Sequence, residues 1–154
     1  MKRQAYAQAM VRPVAPEMLE RLQVKERFEC WNRDELEPML QMYAEDATFD
    51  VSRVFTDVAP IRGHGDMLLY WRELRETWGG GLRSDPLDVL EVGNGQLVLG
   101  VRLWGKGTRS GVEIDQRFAF LYTIDARGKI SRAQLFPDLH AALAATESSA
   151  AQRA

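Results

Sequence analysis

The longest regular pattern in the chain lies in residues 111–139. Apolar side chains there occupy every second position, which is the period of a β-strand with one buried face; they are Ile114, Phe118, Phe120, Tyr122 and Ile124. Gln116 is the one polar residue in this row, whereas the neighbouring row begins with Glu113, Asp115 and Arg117. We therefore expect a long hairpin in which the Gln116 row faces the core and the Asp115 row faces away.

Helical periodicity dominates the first half of the chain. Apolar residues three or four positions apart predict a first helix over residues 17–31 and a short second one that starts at Asp34 or Glu35 and includes Tyr43. The clearest apolar stripe, in residues 67–78, predicts a third helix that three glycines end.

Strands and one last helix follow from the remaining pattern. Residues 47–51 are typical of a short edge strand. Residues 82–92 and 97–104 predict two further strands that lead into the hairpin. Asp138 is placed to cap a final helix from Leu139 to about Ala145. Helices first and an antiparallel meander afterwards is an α+β order.

The length of 154 residues fits one domain with one core. We place this domain at residues 17–145, after an extended N-terminal arm at residues 1–16, whose end is marked by Pro13 and Pro16. Residues 146–154 are small and polar and predict a flexible tail.

Composition and charge exclude several classes of partner. The net charge is -2, with Lys and Arg spread singly along the chain, so the sequence lacks the basic patch that nucleic-acid binding requires. It also lacks an apolar run long enough for a membrane span or a secretion signal. A single cysteine, Cys30, cannot form an internal disulfide. We expect a cytoplasmic protein.

Five short phrases, in order, carry a resemblance to a known family; they are Trp31–Leu36 (WNRDEL), Tyr43–Ala47 (YAEDA), Ile61–His64 (IRGH), Gly128–Ile130 (GKI) and Phe136–Leu139 (FPDL). The chain is similar to the SnoaL-like branch of the nuclear-transport-factor-2-like superfamily. The resemblance implies a cone-shaped roll in which a curved antiparallel or mixed sheet wraps around the N-terminal helices and leaves an apolar pocket. It also implies a homodimer formed on the outer face of the sheet.

Ketosteroid isomerases of that superfamily use a carboxylate base, a tyrosine and a protonated acid. The resemblance places these roles at Val51, Arg27 and Gln116, none of which has the required side chain. A valine cannot take a proton, so this reaction is not expected.

The resemblance also matches the ionisable groups of epoxide hydrolases and polyketide cyclases of the superfamily to residues of this chain that cannot ionise. The Arg-x-Asp pair of the hydrolases corresponds to Gln96 and Val98, and the acidic residue of the last strand, in both classes, corresponds to Leu135. The known chemistries therefore lack their groups at the matching positions, and the pocket is expected to be apolar.

Our first hypothesis is a protein of unassigned activity that binds a small apolar or polycyclic molecule in the cone, without a cofactor. Gln116 is expected to be its buried polar contact. The candidate ligand-binding residues are Phe28, Trp31, Phe49, Val51, Trp71, Gln116, Phe118, Phe120 and Leu135.

Two alternatives remain open. The first is an enzyme that performs cyclase, isomerase or dehydratase chemistry with Asp50, Glu113 or Asp115. The second is a dimeric interaction module with a filled cone. A metal site is not expected, since His64 and His140 belong to different helix starts without further ligands at a suitable spacing.

Overall fold

The computed structural model describes residues 12–13, 22–108 and 110–153. The described helices are α1 (Val24–Asn32), α2 (Glu37–Leu40), α3 (His64–Thr77) and α4 (Leu139–Arg153). The described strands are β1 (Arg12–Pro13), β2 (Tyr43–Asp50), β3 (Ile61–Arg62), β4 (Leu82–Gly93), β5 (Gln96–Lys106), β6 (Glu113–Ile124) and β7 (Ile130–Phe136). The α+β class predicted from the order of the patterns is confirmed. None of the described helices is long and apolar enough to cross a membrane.

The strands form one curved, mixed sheet in the order β1-β4-β5-β6-β7-β2-β3. Neighbours are antiparallel except β2 and β7, which run parallel. The β5–β6 pair is the most regular part, with residues opposed without a shift from Gln96 and Thr123 to Lys106 and Glu113. This pair is the centre of the sheet and its most continuous surface.

The two faces of the sheet have different surroundings. Phe118 and Tyr122 are buried on the inner face, in a core that includes residues of α1, α2 and α3. Ala119 and Leu121 point to the outer face, where they form a smaller cluster with Ala142 of α4. The second half of β6 is thus covered on both sides, as its two apolar rows predict.

The second predicted helix and the first predicted strand need correction. The helix ends at Leu40, and Tyr43 is the first residue of β2 instead of the last turn of a helix. Backbone pairing with β7 explains the change, since Ile130 N–H donates to the carbonyl of Met42 at 2.8 Å and Tyr43 opposes Ile130. β2 is also not an edge strand, because β3 pairs with it on its other side.

The ends of the chain differ from the prediction as well. Gln23 has a φ of 51°, in the left-handed region, immediately before α1, and the predicted helical residues before Leu22 lie outside the described residues. Of the predicted arm, Arg12 and Pro13 are described and pair with β4. Asp138 caps α4 as predicted, accepting from Ala141 N–H at 2.8 Å. α4 continues past the predicted end near Ala145 to Arg153, through an alanine-rich segment that favours helix.

A buried arginine holds the helices to the start of β4. Arg75 of α3 is 4% exposed, and its guanidinium lies over the Trp31 ring at 4.6 Å from the ring centroid. Its Nε donates to Asp34 Oδ1 at 2.8 Å and its Nη1 to the Leu82 carbonyl at 3.1 Å. These contacts fix α1 and α3 relative to the sheet and therefore fix the space between them.

Candidate functional site

A cavity lies between the inner face of the sheet and the helices. Every predicted ligand-binding residue except Gln116 lies on its wall. The wall residues that we did not predict are Met39, Tyr43, Phe55, Tyr70, Leu74, Ser84, Val101, Leu103 and Tyr122. The cavity has a volume of about 80 Å³. With the open mouth included, the space between the wall atoms is about 640 Å³.

Burial separates the inner end of the cavity from its mouth. Tyr122 is 2% exposed and opposes Leu97, at the other end of β5 from Leu103, and its neighbour Tyr43 is 3% exposed, so these two tyrosines mark the inner end. Phe55, Leu74 and Leu103 are half-buried and mark the mouth. The opening therefore lies between α3, the segment after β2, and β5.

The wall is almost wholly apolar. The described wall residues include no Asp, Glu, His, Lys or Arg, and their polar side-chain groups are the hydroxyls of Tyr43, Tyr70, Ser84 and Tyr122 and the indole N–H groups of Trp31 and Trp71. Such a wall can bind an apolar molecule and orient it through one or two hydrogen bonds.

Tyr122 is the unusual member of this wall. Among the described residues, its hydroxyl is the one buried side-chain oxygen or nitrogen without a hydrogen-bond partner. Its ring packs on Phe120 with centroids 5.4 Å apart and meets Tyr43 edge-on at 6.3 Å. Burial raises the pKa of Tyr122, and the neighbouring Tyr43 phenol raises it further. Burial also raises the pKa of Tyr43, so both phenols keep their protons at neutral pH.

The expectation that Gln116 is a buried polar contact is wrong. Gln116 opposes Leu103 in the β5–β6 ladder and belongs to the same row as Phe118, but its side chain is exposed. Alternation predicts which face of the sheet a side chain is on, but it does not predict whether that part of the face is covered. The sheet extends past the helices at Gln116, so the side chain is exposed. The polar group without a partner in this row is the hydroxyl of Tyr122. The alternation includes Tyr122, but the pattern counts a tyrosine as an apolar residue.

The carboxylate of Asp50 lies outside the cavity. Strand alternation puts Val51 on the wall and turns Asp50 to the outer side, where its Oδ1 accepts from Ser52 N–H at 2.9 Å and from Ser52 Oγ at 2.6 Å. Burial raises the pKa of Asp50, but the Ser52 hydrogen bonds and the nearby Arg53 and Arg132 outweigh it and bring the pKa below its usual value. Asp50 is therefore ionised and already paired.

The other candidate carboxylates also lie away from the cavity. Asp115 is exposed and accepts two hydrogen bonds from Arg102, at 2.9 and 2.8 Å, which lower its pKa. Glu113 is exposed, with Oε1 4.0 Å from Lys106 Nζ. Both belong to the outer row of β6, as the sequence pattern predicts.

The positions matched to known catalytic groups divide into two sets. Val51 and Leu135, which the resemblance matches to catalytic acids, lie on the cavity wall with apolar side chains. Gln96 and Val98 face outward, since Gln96 opposes Thr123 and Val98 packs in the α4 cluster, so matching them to a cavity pair is wrong. Arg27 is half-buried on α1 and is not a wall residue.

The described His, Cys, Asp and Glu residues do not form a group of three that could hold a metal ion. His64 Nε2 lies 2.9 Å from the Tyr43 carbonyl, and since a carbonyl only accepts, this nitrogen carries the proton. His140 is exposed at the start of α4.

The sequence matches a family model over most of the region that forms the cone. The model of the SnoaL-like domain matches residues 24–133. The chain belongs to the SnoaL-like family. No curated protein matched this SnoaL-like chain.

Solved structures show the same fold at low sequence identity. Bal32a, from a soil-derived mobile gene cassette, is 18% identical with a TM-score of 0.65, over 81% of this SnoaL-like chain and 93% of that one. TerC, co-crystallised with polyporic acid, is 15% identical with a TM-score of 0.65, over 84% and 98%. SalBIII, an epoxide hydrolase/cyclase-like enzyme of pyran ring formation in salinomycin, is 15% identical with a TM-score of 0.62, over 81% and 95%. These likenesses establish the fold alone.

Proposed function

We propose that this SnoaL-like protein binds a small apolar ring compound in the cone cavity. The observation that carries the proposal is an apolar cavity, open at one end, with an unpaired hydroxyl at the other. A filled cone would have neither feature. TerC, with the same fold, was crystallised with polyporic acid, which agrees with a ligand-binding role for the cone.

The size of the cavity favours a single ring. The enclosed cavity of about 80 Å³ is smaller than an apolar cavity of roughly 150 Å³ that takes up benzene, so even one ring would extend partly into the open mouth. A polycyclic ligand would have to extend through the mouth between Phe55 and Leu103.

Acid–base catalysis has less support than binding. General acid–base chemistry needs a group with a pKa near the working pH within reach of the reacting atom. The described wall has no carboxylate or imidazole, and burial moves the pKa of Tyr43 and Tyr122 further from neutrality. The reaction class of SalBIII is therefore not transferred to this chain.

Titration with toluene tests the proposal. Trp31 and Trp71 lie on the wall, so toluene should change their fluorescence in a saturable manner, and isothermal calorimetry should give the same affinity. Val51→Phe fills the space on the wall beside Phe55 and should abolish binding, and Leu103→Trp should weaken it by narrowing the mouth.

Leu69→Phe is the matched control, because Leu69 is 57% exposed on α3. It should leave the toluene affinity unchanged. Circular dichroism establishes that each variant is folded. Absence of saturable binding to the unmodified protein, or binding that survives in folded Val51→Phe, would overturn the proposal.

A further inference from the structure

The unpaired hydroxyl of Tyr122 specifies what kind of ring compound the cavity takes. A buried hydroxyl without a partner is unfavourable, because it loses its hydrogen bonds to water and gains none. Native proteins pair nearly all such groups, so an exception at the end of a cavity indicates a missing partner.

Proton counting identifies the partner as an acceptor. Tyr43 and Tyr122 each have one hydroxyl proton, and both stay protonated at neutral pH because burial raises the pKa of each. A hydrogen bond between the two phenols would use one of these protons and leave the other. At least one O–H at the inner end therefore needs an acceptor that the apolar wall does not provide.

A trapped water is a less favourable acceptor for this O–H than a ligand oxygen. Buried waters make two to four hydrogen bonds, and the two phenols offer at most two, because the rest of the wall is formed mainly by aromatic and aliphatic side chains such as Phe49, Phe120 and Leu135. A carbonyl oxygen attached to a ring supplies the acceptor, while the ring itself contacts the apolar wall.

We propose that the ligand is a single-ring aromatic or alicyclic carbonyl compound, and that Tyr122 donates a hydrogen bond to its oxygen at the inner end of the cavity. This inference rests on the proposed binding function and adds the chemical class and orientation of the ligand. The ring then lies between Tyr122 and the mouth, with substituents directed toward Phe55 and Leu103.

A matched pair of ligands tests the inference. Acetophenone and ethylbenzene have nearly the same shape and differ in one carbonyl group. For each protein, the affinity for acetophenone is divided by the affinity for ethylbenzene. This ratio is then compared between the unmodified protein and Tyr122→Phe, so that the hydration of each free ligand cancels. One neutral hydrogen bond predicts a decrease of roughly 3- to 10-fold in this ratio when the hydroxyl is removed.

Thr123→Val is the control variant, since it removes a hydroxyl from the next residue of β6, on the outer face of the sheet, where Thr123 Oγ1 accepts from Gln96 Nε2. It should leave the ratio unchanged. The infrared carbonyl stretch of bound acetophenone should lie at lower frequency in the unmodified protein than in Tyr122→Phe, a difference that a change in packing alone would not produce.

The outcomes separate this inference from the binding proposal. If neither ligand binds, the binding proposal fails. If both bind and Tyr122→Phe leaves the ratio and the carbonyl stretch unchanged, binding stands and the role of Tyr122 is refuted. If Tyr43→Phe changes the ratio and Tyr122→Phe does not, the donor is Tyr43 and the assignment to Tyr122 is again refuted.

Discussion

Replacing Tyr122 by phenylalanine should stabilise the ligand-free protein. The substitution removes a single buried oxygen that has no partner in good hydrogen-bond geometry, and it keeps the ring that packs on Phe120. Burying a hydroxyl without a partner costs about 1–3 kcal/mol. We expect a gain near the lower end, about 1 kcal/mol in the free energy of unfolding, because the group borders a cavity and lies next to Tyr43.

Urea denaturation and thermal melting measure this gain. For a domain of this size, 1 kcal/mol corresponds to a rise in Tm of about 2–4 °C. With a slope of roughly 2 kcal/mol per molar urea it corresponds to a midpoint about 0.5 M higher. The protein should first be unfolded and refolded without ligand, because a bound compound would stabilise only the unmodified chain.

The same chemical change at Tyr70 provides the comparison. Tyr70 is half-buried near the mouth, where water can reach it, so Tyr70→Phe should change the stability by less than about 0.5 kcal/mol. A loss of 1 kcal/mol or more in Tyr122→Phe would refute the reasoning. It would mean that the Tyr122 hydroxyl has a partner in the folded protein, and the assignment of Tyr122 as the donor to the ligand oxygen would lose its basis.

Four further outcomes are expected. Arg75→Met should lower the free energy of unfolding in urea by about 2 kcal/mol, since it removes the buried hydrogen bond to the Leu82 carbonyl and the contact with the Trp31 ring. Asp34→Asn should lower it by less than about 1 kcal/mol because Asp34 is exposed, and equal losses would contradict this account. The folded pKa of Asp50 lies below the unfolded value of 3.8, so the ionised Asp50 stabilises the fold fully above pH 3.8 and loses this effect as the pH falls through the folded pKa. The Tm of Asp50→Asn should therefore vary less with pH in acid than the Tm of the unmodified protein. Parallel curves of Tm against pH would contradict this. Asp115→Asn should leave toluene affinity unchanged, and a loss of binding would return Asp115 to the site. The homodimer remains a prediction, for which sedimentation should give twice the 17.5 kDa chain mass, and a monomer would refute it.

The faces of the long strands could be predicted from the sequence because alternation with a period of two is a local property. Phe118 and Phe120 line the cavity and Asp115 points outward, as the pattern indicates. The cap at Asp138 is equally local, since one side chain and the N–H three residues later form it.

The features that sequence reasoning missed depend on contacts between distant segments. Tyr43 continues a helical pattern, but pairing with β7, which lies far along the chain, makes it a strand residue. Gln116 shares a row with buried residues, and only the position of the helices shows that this end of the row is exposed. Tyr122 is a common core residue by type, and its lack of a partner appears only when every neighbour is known.

The unshifted ladder between β5 and β6 has a consequence for redesign. Val101 and Phe118 oppose each other in it, as do Leu99 and Phe120, and the ladder itself is held by backbone hydrogen bonds that do not depend on side-chain identity. Exchanging Val101, Phe118 or Phe120, which lie on the cavity wall, for smaller residues therefore reshapes one wall while the strands stay paired. Libraries restricted to such inward positions offer a direct way to select new ligand preferences from this scaffold.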